Sequence, residues 1–193
     1  MAEALFRNES PIEYFKELVE SAISRQGVDA GEMTSFYLVN LLAGFVSLDR
    51  TDTAEDESLG VLLAKALQTG GIAQRDGLRR VGDLSLFISG YFSDSLNRSL
   101  VDIDYYIALG ERAYGSLARH SDDAFSDVFD ELSGKFTGFV EVLGEVSERT
   151  ALSSNTDLLR LYERWLRTRS RRRGDLLVKQ GIVPNGSVTR RIQ

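Results

Sequence analysis

The sequence predicts an all-α protein, a single-domain bundle of about seven helices with no sheet. Three observations carry this. Apolar residues recur at helical spacing in seven successive stretches. No run alternates strictly for long enough to be a strand. Proline is confined to Pro11 and Pro184, which argues against a turn-rich β fold. The 193 residues fit one domain, read here as a helical unit over 1–182 and a polar tail over 183–193.

The helices follow in order. Ser10-Pro11-Ile12-Glu13 is a start signal: serine caps, proline takes the first helical position and glutamate closes a capping box. Gly27 ends that helix in the left-handed position. Asp29-Ala30-Gly31-Glu32 opens the second, whose Met33, Phe36, Tyr37, Val39, Leu41, Leu42, Phe45 and Val46 make it apolar nearly all round, the mark of a central helix. An acidic loop over Asp49–Glu57 primes the third, which carries Leu59, Leu62, Leu63, Ala66 and Leu67 and stops at Gly70-Gly71. The fourth runs from Ile72 to Phe92. Its Gly77, Gly82 and Gly90 each cost about 1 kcal/mol against alanine, so either the helix breaks there or close packing offsets the cost.

Ser99-Leu100-Val101-Asp102 starts the fifth helix, with Ile103, Tyr106, Ile107, Leu109, Tyr114 and Leu117. Ser121, supported by Asp122 and Asp123, starts a sixth with the cleanest stripe: Phe125, Val128, Phe129, Leu132, Phe136, Phe139, Val140, Leu143 and Val146. The seventh begins at Ser154 or Asn155, passes through Leu158, Leu161, Tyr162 and Trp165, and runs into an arginine cluster.

That cluster dominates the charge pattern. Seven arginines lie between Arg160 and Arg173, with Glu163 as the lone acid among them. From Arg160 to Gln193 ten basic residues face two acidic ones, a net +8. From Met1 to Leu159, 13 face 27, a net −14. Such a basic end either folds onto its own acidic body or meets an anionic partner. Arg160, Arg164, Arg167 and Arg171 share one helical face and are the candidate contacts. Nucleic acid is a possible but not favoured partner, since the whole chain is acidic at −6.

Other chemistry is sparse. Without cysteine there is no thiol nucleophile, thiolate zinc site or disulfide, which fits a reducing cytoplasm. The acids in Met1–Ser10 do not suit a signal peptide. The most apolar run, Phe36–Val46, falls well short of the ~20 residues of a membrane span. One histidine cannot supply two Glu-x-x-His pairs for a di-iron bundle. His120 lies between two helices, where a helix-end role accounts for it without catalysis. Asp102, Asp104 and Glu111 could form a carboxylate magnesium or calcium site, but Asp102 and Asp104 are more simply first-turn residues of their helix. No phosphate-binding glycine loop and no Gly-x-Ser-x-Gly elbow occur. The expectation is therefore no metal, no cofactor and no catalytic residue.

One region could still form a pocket. Arg79, Arg80, Asp83, Tyr91, Tyr106 and Tyr114 combine charge, hydroxyls and nearby glycines, and are the candidate ligand-binding residues. The plainer alternative is tight helix packing, with glycines at the crossing and Asp83 paired to a nearby arginine. The string from Gly82-Asp83-Leu84 to Ser89-Gly90-Tyr91-Phe92, with Tyr105-Tyr106-Ile107-Ala108-Leu109-Gly110 and Ala113-Tyr114, resembles an uncharacterised family of bacterial all-α proteins over residues 82–118. The resemblance implies a helical, cytosolic bacterial protein and no activity. The functional expectation is a non-enzymatic interaction protein that associates with itself or another protein. The alternatives are a nucleic-acid-associated protein using Arg160–Arg173, or a small-ligand binder or enzyme using the helices of Arg79–Phe92 and Tyr105–Tyr114.

Overall fold

A computed structural model describes residues 10–46, 58–93, 102–121, 124–151, 171 and 173–175. Seven helices order them: α1 (Pro11–Gln26), α2 (Glu32–Val46), α3 (Leu59–Gln68), α4 (Gly71–Tyr91), α5 (Ile103–Arg119), α6 (Ser126–Gly134) and α7 (Phe136–Ala151). No strand occurs among the described residues. Arg171 and residues 173–175 are also helical. The rest of the arginine-bearing helix, the acidic loop over 49–57, Ser99, Asp122, Asp123 and the 183–193 tail lie outside the described residues.

Local signals work as written at α1. The Ser10 hydroxyl accepts the Glu13 N–H at 3.3 Å, and Glu13 Oε2 accepts the Ser10 N–H at 2.9 Å. Gly27 closes the helix at φ 64°, where a side chain would strain the backbone.

The centre of the bundle is α4 packed on α5. Around this pair, α3 lies against α4, α6 against α5, and α7 between α4 and α1, while α2 rests on α1 and touches α6. A single core joins them, with Leu78, Leu86, Tyr114, Leu132, Phe139, Leu143 and Val146 fully buried. The glycines of α4 do not break the helix; they bring its neighbours close. A Cβ on Gly82 would stand 2.6 Å from the Tyr114 ring, and one on Gly90 2.5 Å from Leu143 Cβ. On α5, a Cβ on Gly110 would run into the tip of the Phe136 ring.

Three expectations change. The sixth predicted helix is two, α6 and α7, separated at Lys135. The apolar spacing survives because the break is a single residue, so periodicity runs straight through it. Gly134 weakens the end of α6, and Lys135 leaves helical geometry at φ −116°. Its amine is held by Glu131 Oε1 at 2.9 Å and by the Asp29 carbonyl. Phe125, placed in the stripe by spacing, precedes α6 and is exposed. Finally, among the described residues α2 lies at the edge of the bundle and not at its centre: Met33, Phe36, Asn40 and Gly44 face outward.

Candidate functional site

The position of α2 follows from two polar anchors. At its start, the N–H of Gly31 is accepted by both oxygens of Glu131, each at 3.2 Å, and the Thr34 hydroxyl also donates to Glu131. The cap therefore comes from α6, and not from Asp29, whose carbonyl instead receives Lys135. Burial opposes ionisation of Glu131. The donors Thr34, Lys135 and Gly31 outweigh it and hold the carboxyl below its usual range.

The second anchor is Asp83 on α4. Its Oδ1 accepts the Tyr37 hydroxyl from α2 at 2.6 Å and the Tyr114 hydroxyl from α5 at 2.7 Å. Arg79, one turn earlier, donates from Nε to the Tyr37 oxygen at 3.2 Å and sits 3.7 Å from Asp83 Oδ2. Its guanidinium also lies over the Tyr37 ring, 5.4 Å from the centroid. One carboxylate thus ties three helices. Burial raises the Asp83 carboxyl, against the pull of both tyrosines and Arg79. Burial, with Asp83 beside them, raises both tyrosine hydroxyls, so they stay protonated donors.

Of the six candidate pocket residues, Arg79, Asp83 and Tyr114 come together. Arg80 is exposed and makes none of these contacts. Tyr91 lies two turns further along α4, with its hydroxyl 2.8 Å from Thr150 Oγ1 on α7 and its ring stacked on Phe87. Tyr106 is half-buried, edge-on to Tyr105. Asp83 accordingly reads as an internal tie between helices, with the glycines at the crossings, as the packing alternative expects. Sequence reasoning missed Tyr37. The signal was a phenol in the apolar run Tyr37-Leu38-Val39, since a buried tyrosine hydroxyl needs a partner. His120 caps the end of α5, its Nδ1 2.6 Å from the Ser116 carbonyl. Arg160, Arg164 and Arg167 lie outside the described residues; Arg171 is helical and exposed.

With its inner side so anchored, α2 presents an outer strip of Met33, Phe36, Asn40 and Gly44. Met33 is 49% and Phe36 58% exposed. Beyond Glu32 the helix carries no charge at all. The outer face of α1, by contrast, bears Glu13, Lys16, Glu17 and Glu20. Ile72 on α4 is more exposed still, at 78%, but an exposed helix face without charge is a feature that solvation does not explain.

No helix among the described residues is long and apolar enough to cross a membrane. Among those residues no three metal-ligating side chains gather. No family model, curated protein or solved structure matches the chain.

Proposed function

We propose that this chain is a non-enzymatic helical interaction protein of the cytoplasm that pairs with a second copy through the outer strip of α2. The observation that carries the reading is the exposure of Met33 and Phe36 on a helix uncharged after Glu32. Charge selects the occupant. A two-fold contact sets each residue against the same surface of its partner. At a net charge of −6, an acid-bearing face repels its own copy. Beyond Glu32, which borders it at one end, the α2 strip has no such repulsion, and Asn40 with Gly44 leaves room for close approach.

Light scattering across a concentration series tests this. Twice the chain mass is expected for the wild type, and the single-chain mass for Phe36→Glu, which adds a charge at an exposed site without touching the core. A wild type that stays a single chain at high concentration overturns self-association. A dimer unaffected by Phe36→Glu overturns α2 as the contact.

A further inference from the structure

A groove of about 570 Å³ lies along α7, between the end of α1, Ser93 after α4 and Ile103 at the start of α5. It is independent of the α2 strip. Two features of it are unexplained by folding. The first is Gly144, inside α7, where glycine costs about 1 kcal/mol against alanine. At Gly82, Gly90 and Gly110 a neighbour occupies the space of a Cβ. At Gly144 the nearest atoms would be Ser93 Oγ at 3.6 Å and the Gly90 carbonyl at 3.7 Å, ordinary contacts. What its lack of a side chain does is open the groove floor beside Val140 and Ile103.

The second is the charge arrangement. Arg25 and Arg149 converge on one oxygen of Glu145, at 3.6 and 3.3 Å, while Gln26 donates to the other at 2.9 Å. Neither guanidinium hydrogen-bonds the shared oxygen, which is buried with no hydrogen-bond partner among the described residues. Two cations share one carboxylate, Arg149 also donates to the Ser21 hydroxyl, and Arg25 is 64% exposed with donors to spare. Glu141 and Glu148 flank Gly144 one turn to either side and pair with no cation among the described residues.

We infer that this groove binds a small zwitterion of free amino-acid or short-peptide type. Its carboxylate meets Arg25 and Arg149, its ammonium meets Glu141 or Glu148, and its side chain lies over Gly144, Val140 and Ile103. Glu145 is a positioning residue that holds the two guanidiniums side by side. The volume suits a small molecule of this kind.

Isothermal titration calorimetry with leucine, glutamine, lysine and glycyl-leucine tests the inference, with N-acetyl-leucine and leucine amide as controls. At least one zwitterion should bind, and each control should bind tenfold or more weakly than leucine or not at all. Arg25→Ala should weaken binding at least tenfold, and Gly144→Leu should abolish it by filling the floor. Gly144→Ala, which meets only ordinary contacts, should melt no lower than wild type and shows that the helix accepts a side chain there. No heat from any zwitterion at millimolar concentration overturns the site. Binding unchanged in both Arg25→Ala and Gly144→Leu overturns its location. N-acetyl-leucine binding as tightly as leucine overturns the zwitterion.

Discussion

Tyr114 has no room to move. Its ring lies between Phe129 and Phe136, its edge meets Gly82, and its hydroxyl is committed to Asp83. Gly82→Ala should therefore cost about 1–3 kcal/mol by overpacking. The same change at Gly44, where a Cβ meets nothing within 4 Å among the described residues, should gain up to about 1 kcal/mol from helix propensity when made in the single-chain Phe36→Glu background. Urea unfolding of the two variants checks the opposite signs. Asp83 offers a second contrast. Asp83→Ala leaves two buried phenols without an acceptor and should cost about 3–5 kcal/mol. Asp83→Asn keeps the acceptor and removes the charge. A carboxyl whose folded pKa is raised contributes stability below its unfolded pKa, and loses it as pH rises through the folded value. The stability of Asp83→Asn relative to wild type should thus increase from about pH 4 to pH 7; a difference independent of pH would contradict this account of Asp83.

At the scale of elements, α2 and α6 hold each other. Phe129 sits edge-on to Tyr37 at 5.6 Å between centroids and is 4% exposed, so Phe129→Ala should cost about 3–5 kcal/mol in chemical denaturation. Glu131→Ala should cost about 1 kcal/mol, as for loss of a helix cap. Hydrogen exchange should then quicken at the amides of residues 31–35, leaving α1 unchanged. The Glu131 contribution has the opposite pH sense to that of Asp83: it is present above the usual glutamate pKa and lost as pH falls through the lowered one. These elements also show what the chain discloses before folding. Local chemistry is legible: Ser10 with Glu13 and Gly27 bound α1 to the residue. The one-residue break at Lys135 was not, because it preserves the apolar spacing. The outward turn of α2 was not either. It depends on Asp83 and Glu131, partners 46 and 100 residues away from the groups they hold. The Asp83 cluster was half legible, through Arg79 and Tyr114, but its third helix enters by Tyr37 alone.

For the whole molecule, the charge polarity gives a further expectation. If the +8 end of one copy meets the −14 body of another, Arg164→Glu with Arg171→Glu should leave the melting transition in place and weaken the dimer, as should raised salt. Retention of the dimer at its original strength would assign association to α2 alone. Mixed DNA and RNA should show no binding even at low salt; salt-sensitive binding would favour the nucleic-acid reading instead. The Glu131 cap also has a consequence in time. The first turn of α2 is completed by a group encoded a hundred codons downstream. At translation rates of roughly 5–20 residues per second, that turn goes uncapped for on the order of 5–20 seconds after Gly31 is made. During synthesis, the first N–H groups of the nascent helix have only water, or their own neighbours, to bond.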